Sequence, residues 1–164
     1  MPLIQYCSNC WAENLFGATV CERCGVSLAE TETILYDQKL MRALHHPVPE
    51  TREMAAMLLG LRRDQQALPI LMACLFEETD RGVLCAIGKA LGQLGGCRAV
   101  ASLANRLAQP SALVVALTIV EALAALARTG CWEALDALKA PPHVNERVAR
   151  EIAVRLETLN LLYY

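Results

Sequence analysis

Four cysteines near the amino terminus are the residues best spaced for chemistry. Cys7 and Cys10 form one Cys-x2-Cys pair, Cys21 and Cys24 form another, and ten residues separate the inner two. If each pair sits on a tight turn, four thiolates can converge tetrahedrally on one zinc ion, whose binding then supplies most of the folding energy of a segment too small for a core. Four thiolates leave no coordination position for water or substrate, so this zinc, one per chain, is structural. Gly25 directly follows Cys24, where a left-handed backbone is often needed, and Gly17 permits the chain between the pairs to reverse.

No catalytic residue emerges elsewhere. His45 and His46 adjoin Pro47 and Pro49, and His143 follows Pro141-Pro142, none with a nucleophile or acid partner at diagnostic spacing. The chain holds no phosphate loop, dinucleotide fingerprint or paired-carboxylate motif.

The pattern Cys7-x2-Cys10-x3-Asn14-x6-Cys21-x2-Cys24 resembles the Ran-binding-protein type of zinc finger, and more loosely the zinc ribbons at the front of many bacterial proteins. That resemblance implies that the four cysteines are the ligands and that Asn14 braces a turn. Gln5 stands where the finger family carries tryptophan, and Trp11-Ala12 where its ubiquitin-binding members carry threonine-phenylalanine. Tyr6, Trp11 and Phe16 are expected to cover the metal site or dock it onto the rest of the chain.

The other 140 residues must provide that support. Of the 164 in all, 55% are hydrophobic, 20% charged and only 5% aromatic, which predicts a globular, helix-rich chain. A net charge of -2 gives no broad basic footprint for nucleic acid. The opening Met1-Pro2-Leu3-Ile4 lacks the pattern of a secretory signal, which predicts a cytoplasmic location and reduced thiols, with Cys74, Cys85, Cys97 and Cys131 as small buried side chains. The apolar run from Ala112 to Ala127 is too short for a membrane span and contains Glu121, so it is expected as a central helix, with Glu121 facing solvent or meeting Arg128 or another donor.

A polar connection, Ser27 to Thr33, separates a knuckle at 1–30 from a helical domain at 34–164. The first helix is expected from Ile34 to Leu44, anchored by Leu35, Leu40 and Leu44 and ended by Pro47 and Pro49. Helices beginning near Gln66, Cys97 and Gly130 place Leu68, Leu71 and Leu75, then Val100, Leu103 and Leu107, then Trp132, Leu135 and Leu138 on one face each. Their partners are expected at 50 to 62, 80 to 94, 111 to 128 and 144 to 161. Val83, Ile87, Leu91 and Leu94 recur 32 positions later as Val115, Ile119, Leu123 and Leu126, and again 33 later as Val148, Ile152, Leu156 and Leu159. Gly60, Gly92 and Ala124 fall in register, where small residues let helices approach, and Gly95-Gly96 and Gly130 mark turns. Such a pattern predicts stacked helical hairpins, since each hairpin alone leaves an apolar face that only the next can cover.

The segments EMAAMLLGLRRDQQALPILMACL and CAIGKALGQLGGCRAVASLANRL resemble HEAT repeats, especially the short form associated with phycobilisome lyases. The resemblance spans residues 50 to 161 and implies an all-α fold, a right-handed α-α superhelix, whose second helices line an inner binding face. Members usually carry an arginine after the valine that opens the second helix. Arg52 keeps a basic residue there, whereas Leu84 and Ala116 occupy the central positions. Leu84, Cys85, Val114 and Leu117, with Arg52, are therefore the expected partner-binding residues, on a surface less charged than usual. The leading expectation is a scaffold that holds a protein partner or a second copy of itself. The alternatives are a subunit that binds a bilin or its carrier, as the lyase resemblance implies, and nucleic-acid binding through the knuckle.

Overall fold

The computed structural model describes residues 3–28 and 35–160. The boundary expected between 30 and 34, most of the polar connection, Ile34 and Leu161 lie outside the described residues.

Two short antiparallel strands, β1 (Ile4–Tyr6) and β2 (Glu13–Leu15), open the chain, with Gln5 opposite Asn14. Among the described residues eight helices come after them: α1 (Tyr36–Ala43), α2 (Pro49–Arg62), α3 (Leu68–Glu77), α4 (Arg81–Leu94), α5 (Val100–Leu107), α6 (Leu113–Arg128), α7 (Trp132–Lys139) and α8 (Glu146–Asn160). Short 3-10 turns at Gln65–Ala67 and Cys97–Ala99 lead into α3 and α5. Consecutive helices pair as hairpins, and the hairpins stack so that α2, α4, α6 and α8 form one row and α3, α5 and α7 another. This is the right-handed α-α superhelix expected from the repeat, with a small four-cysteine knuckle at its front.

Local chemistry sets the helix ends. Pro49 starts α2, where its missing N–H is no loss. Asp80 Oδ1 accepts from the N–H groups of Gly82 and Val83 at 2.8 and 3.1 Å to cap α4. Gly95 and Gly96, both at positive φ (75° and 77°), then stop that helix in a geometry costly for any side chain.

Packing follows the 32-residue repeat closely. Val83, Ile87, Leu91 and Leu94 are buried, as are Val115, Ile119, Leu123 and Leu126 after them, and Val148, Ile152 and Leu159 at the end, with Leu156 partly buried. Each fully buried leucine or isoleucine removes enough apolar surface to contribute about 1.5–3 kcal/mol before entropy is counted. The small residues act between neighbours in the inner row. A Cβ on Gly60 would lie 2.7 Å from the Ala90 Cα, and one on Gly92 would lie 3.0 Å from the Ala122 Cα. The repeat of 32 therefore reappears as the same close approach at two successive seams.

Three expectations need correction. Leu35 is exposed, so α1 is anchored by Leu40, Ala43 and Leu44 instead. Trp132 is 66% exposed, and Cys131 and Ala134 are buried instead, while Leu138 is buried as expected and Leu135 partly so. Nor are Cys97 and Cys131 the reduced thiols expected: a disulfide joins them, with Cα atoms 5.5 Å apart. That bond ties the start of the last outer helix to the start of the one before it. Among the described residues, no helix is long and apolar enough to cross a membrane.

Candidate functional site: a four-thiol knuckle and a cationic groove

The knuckle is two nearly identical turns set face to face. In the first, the Cys7 N–H donates to Ala12 O and the Trp11 N–H to Cys7 O; in the second, the Cys21 N–H donates to Val26 O and the Gly25 N–H to Cys21 O. Asn14, buried between them, donates from Nδ2 to Ala12 O at 2.9 Å and accepts the Glu22 N–H at 3.0 Å, so one amide locks both turns. Bracing by Asn14 is the role the resemblance implied.

All four sulfurs lie within 4.8 Å of one another. The Cys7–Cys24 and Cys10–Cys21 separations are 3.7 and 3.6 Å. Sulfurs placed tetrahedrally about a metal at ~2.3 Å are ~3.8 Å apart, so the donor set fits zinc in size and chemistry. Their acid–base behaviour agrees. Cys21 is drawn down to about 6, chiefly by the Cys24 backbone N–H. At Cys10 a hydrogen bond from the Ala12 backbone favours the thiolate, but desolvation and the three neighbouring thiols outweigh it and push the group up to about 12. Four such sulfurs cannot all ionise together without a cation to neutralise them.

The knuckle also touches the solenoid. Trp11 occupies the turn position that Gly25 fills in the other half, and both have positive φ, 58° and 72°. For a tryptophan that conformation costs about 1–2 kcal/mol. Its ring packs against the main core and meets His46 edge-on. Tyr6 and Phe16, by contrast, are exposed. Docking therefore falls to Trp11 alone of the three aromatics.

The inner row of helices forms a groove with two connected compartments. The larger, about 830 Å³, lies along α4, α6 and α8 and includes Val114, Leu117, Lys89, Glu121, Arg128 and Arg155. The smaller, about 360 Å³, lies between α2 and α4 and includes Glu53, Met57, Leu61, Arg81 and Cys85. Lys89, Gln93 and Val114 border both. Glu121, expected to face solvent or meet a donor, accepts from Arg128 at 2.9 Å and from Arg155 at 2.7 Å, bridging α6 to α8. Desolvation opposes its ionisation, but those two guanidiniums win and hold its carboxyl below the usual range.

Of the expected contact residues, Cys85, Val114 and Leu117 line this groove. Leu84 does not: it is 3% exposed and belongs to the core, because α4 is covered by α2 on one flank, α6 on the other and α3 beneath. Arg52 faces elsewhere. Its guanidinium donates to both Glu78 oxygens, at 2.7 and 3.0 Å, and to the carbonyls of His46 and Pro47, bracing the turn before α2. Nor is the groove sparsely charged as expected. Arg63, Arg81, Lys89, Arg128 and Arg155 border it, and among the described residues only Glu53 and Glu121 oppose them. Sequence reasoning missed these cations because it followed the family's arginine position; the helical spacing of Lys89 and Gln93 beyond Cys85 was the available signal.

No curated protein matches the chain. The family model for HEAT repeats matches residues 38–124, over half of the sequence and all of α2 through α5. With the stacked hairpins and the inner groove in place, that match identifies the chain as a member of the HEAT-repeat family.

Proposed function

We propose that the chain is a protein-interaction scaffold that holds a protein partner along the inner row of helices, while a structural zinc ion bound by Cys7, Cys10, Cys21 and Cys24 shapes the knuckle at its front. HEAT repeats commonly serve as interaction scaffolds. The observation that carries the reading is the groove itself: a channel of about 830 Å³ continuing into one of about 360 Å³, lined only by second helices and the residues that end them. Solvent-facing Val114, Met57 and Leu61 supply apolar surface on its walls. Such side chains at a concave site are what a partner would cover.

A photo-crosslinking residue placed at Val114 should give protein adducts in cells, while the same group at exposed Arg98 before α5 should not. Equal adducts from both positions, or none from Val114, would rule out the groove as the contact face.

A further inference from the structure

We infer that the groove takes an acidic protein segment bearing apolar side chains, a proposal that rests on the scaffold reading and gives its partner a chemistry. Five cationic side chains border the groove against two carboxylates, although the whole chain carries a net charge of -2. Positive charge is thus gathered on this face against the balance of the molecule.

The cations divide into two kinds. Arg128 and Arg155 already share Glu121. Arg63, Arg81 and Lys89 are exposed, and among the described residues none has an ion-pair partner. They stand near α2 and α4, beside exposed Met57 and Leu61, and Val114 borders the same compartment as Lys89. A neutral apolar ligand covering that surface would strip water from three cations and return nothing, whereas carboxylates interleaved with apolar groups satisfy both kinds of surface at once.

The dimensions suit a peptide. Helices pack about 8–10 Å apart, so the three seams from α2 to α8 span roughly 24–30 Å, the length of seven to nine extended residues. Nucleic acid fits less well. Among the described residues no aromatic ring lines either compartment to stack on a base, and Glu53 and Glu121 would face the phosphates.

The test uses the full chain and labelled peptides of about twelve residues that differ only in their charged positions: Leu with Glu, Leu with Gln, and Leu with Lys. A single-stranded oligonucleotide is the fourth probe. Fluorescence anisotropy should show the Glu peptide binding at least about ten-fold tighter than the Gln peptide, with affinity falling as salt rises. The double variant Arg63→Glu/Lys89→Glu should lose that preference and gain affinity for the Lys peptide, with unchanged circular dichroism. Equal binding of the Glu and Gln peptides, binding of none, preference for the oligonucleotide, or self-association that covers the groove would overturn the acidic partner. Adducts at Val114 report separately on the scaffold reading, which stands if they persist when the peptide preference fails.

Discussion

The Trp11 indole meets the His46 imidazole edge-on, with ring centroids 4.5 Å apart and planes inclined at 69°. His46 in turn accepts the Val48 N–H on Nδ1, just ahead of α2. The residue that directly succeeds a proposed zinc ligand therefore rests on the turn that opens the first full repeat. A metal held by the four thiols would thus have its influence on the helices carried through Trp11.

Elemental analysis should find one zinc per full-length chain, and Cys21→Ser/Cys24→Ser should lose it. In a Trp132→Phe background, a chelator should shift the emission of Trp11 while leaving helical ellipticity nearly unchanged, because the solenoid has its own core. A metal-free chain with unaltered Trp11 emission would sink the zinc assignment.

Replacing Trp11 with Gly relieves the left-handed backbone and removes the ring pair, worth about 0.5–1.5 kcal/mol. The variant should keep its metal, yet relaxation measurements should show residues 3–28 tumbling faster than the helices. Unchanged relaxation would mean that something other than Trp11 fastens the knuckle.

Glu78 offers a pH test. Desolvation works against its charge, but the Arg52 guanidinium and the N–H groups of Asp80 and Thr79 overcome it and hold the carboxyl below its ordinary 4.5. A depressed value means that the stabilisation is complete above about that pH and disappears as pH falls through the lower, folded-state value. Glu78→Gln should cost about 1–3 kcal/mol near neutral pH. The gap from the parent should close in acid, where the native glutamate is itself neutral; a gap independent of pH would refute the pairing.

At Gly60 helix propensity and packing oppose each other. Alanine gains up to about 1 kcal/mol inside a helix, but its Cβ would stand 2.7 Å from the Ala90 Cα, so α2 and α4 must separate. Gly60→Ala should therefore lower the melting temperature, and by more than Gly92→Ala, whose nearest contact is 3.0 Å. A rise in melting temperature at Gly60 would contradict this seam.

The Cys97–Cys131 bond closes a separation of 34 residues. Loop entropy assigns such a link up to about 3–4 kcal/mol. Reductant should thus destabilise the parent and leave Cys131→Ser unaffected, and intact-mass analysis without reductant should find the bonded form.

The helices are legible in the sequence because the apolar pattern at Val83, Ile87, Leu91 and Leu94 recurs intact in α6, and a recurring pattern survives small errors of register. Leu84 escapes such a reading because α4 is enclosed on three sides, which widens its buried arc beyond one stripe. The disulfide is invisible for a different reason: Cys97 and Cys131 meet only when two outer helices stack, and spacing alone carries no sign of that. The four-cysteine cluster is readable because its pairing is local. The cations of the groove are not, since Arg63, Arg81 and Lys89 come from separate turns and share a surface only after folding.

The seams of the inner row are not alike. At α2/α4 and α4/α6 glycines bring the backbones nearly into touch, whereas α6 and α8 are bridged at the surface by the Glu121 carboxylate between two arginines. Close steric contact resists bending in every solvent, but a clamp of exposed charges weakens with ionic strength. The α8 end therefore carries a salt-sensitive tie on top of its apolar packing, one that the two glycine seams lack among the described residues.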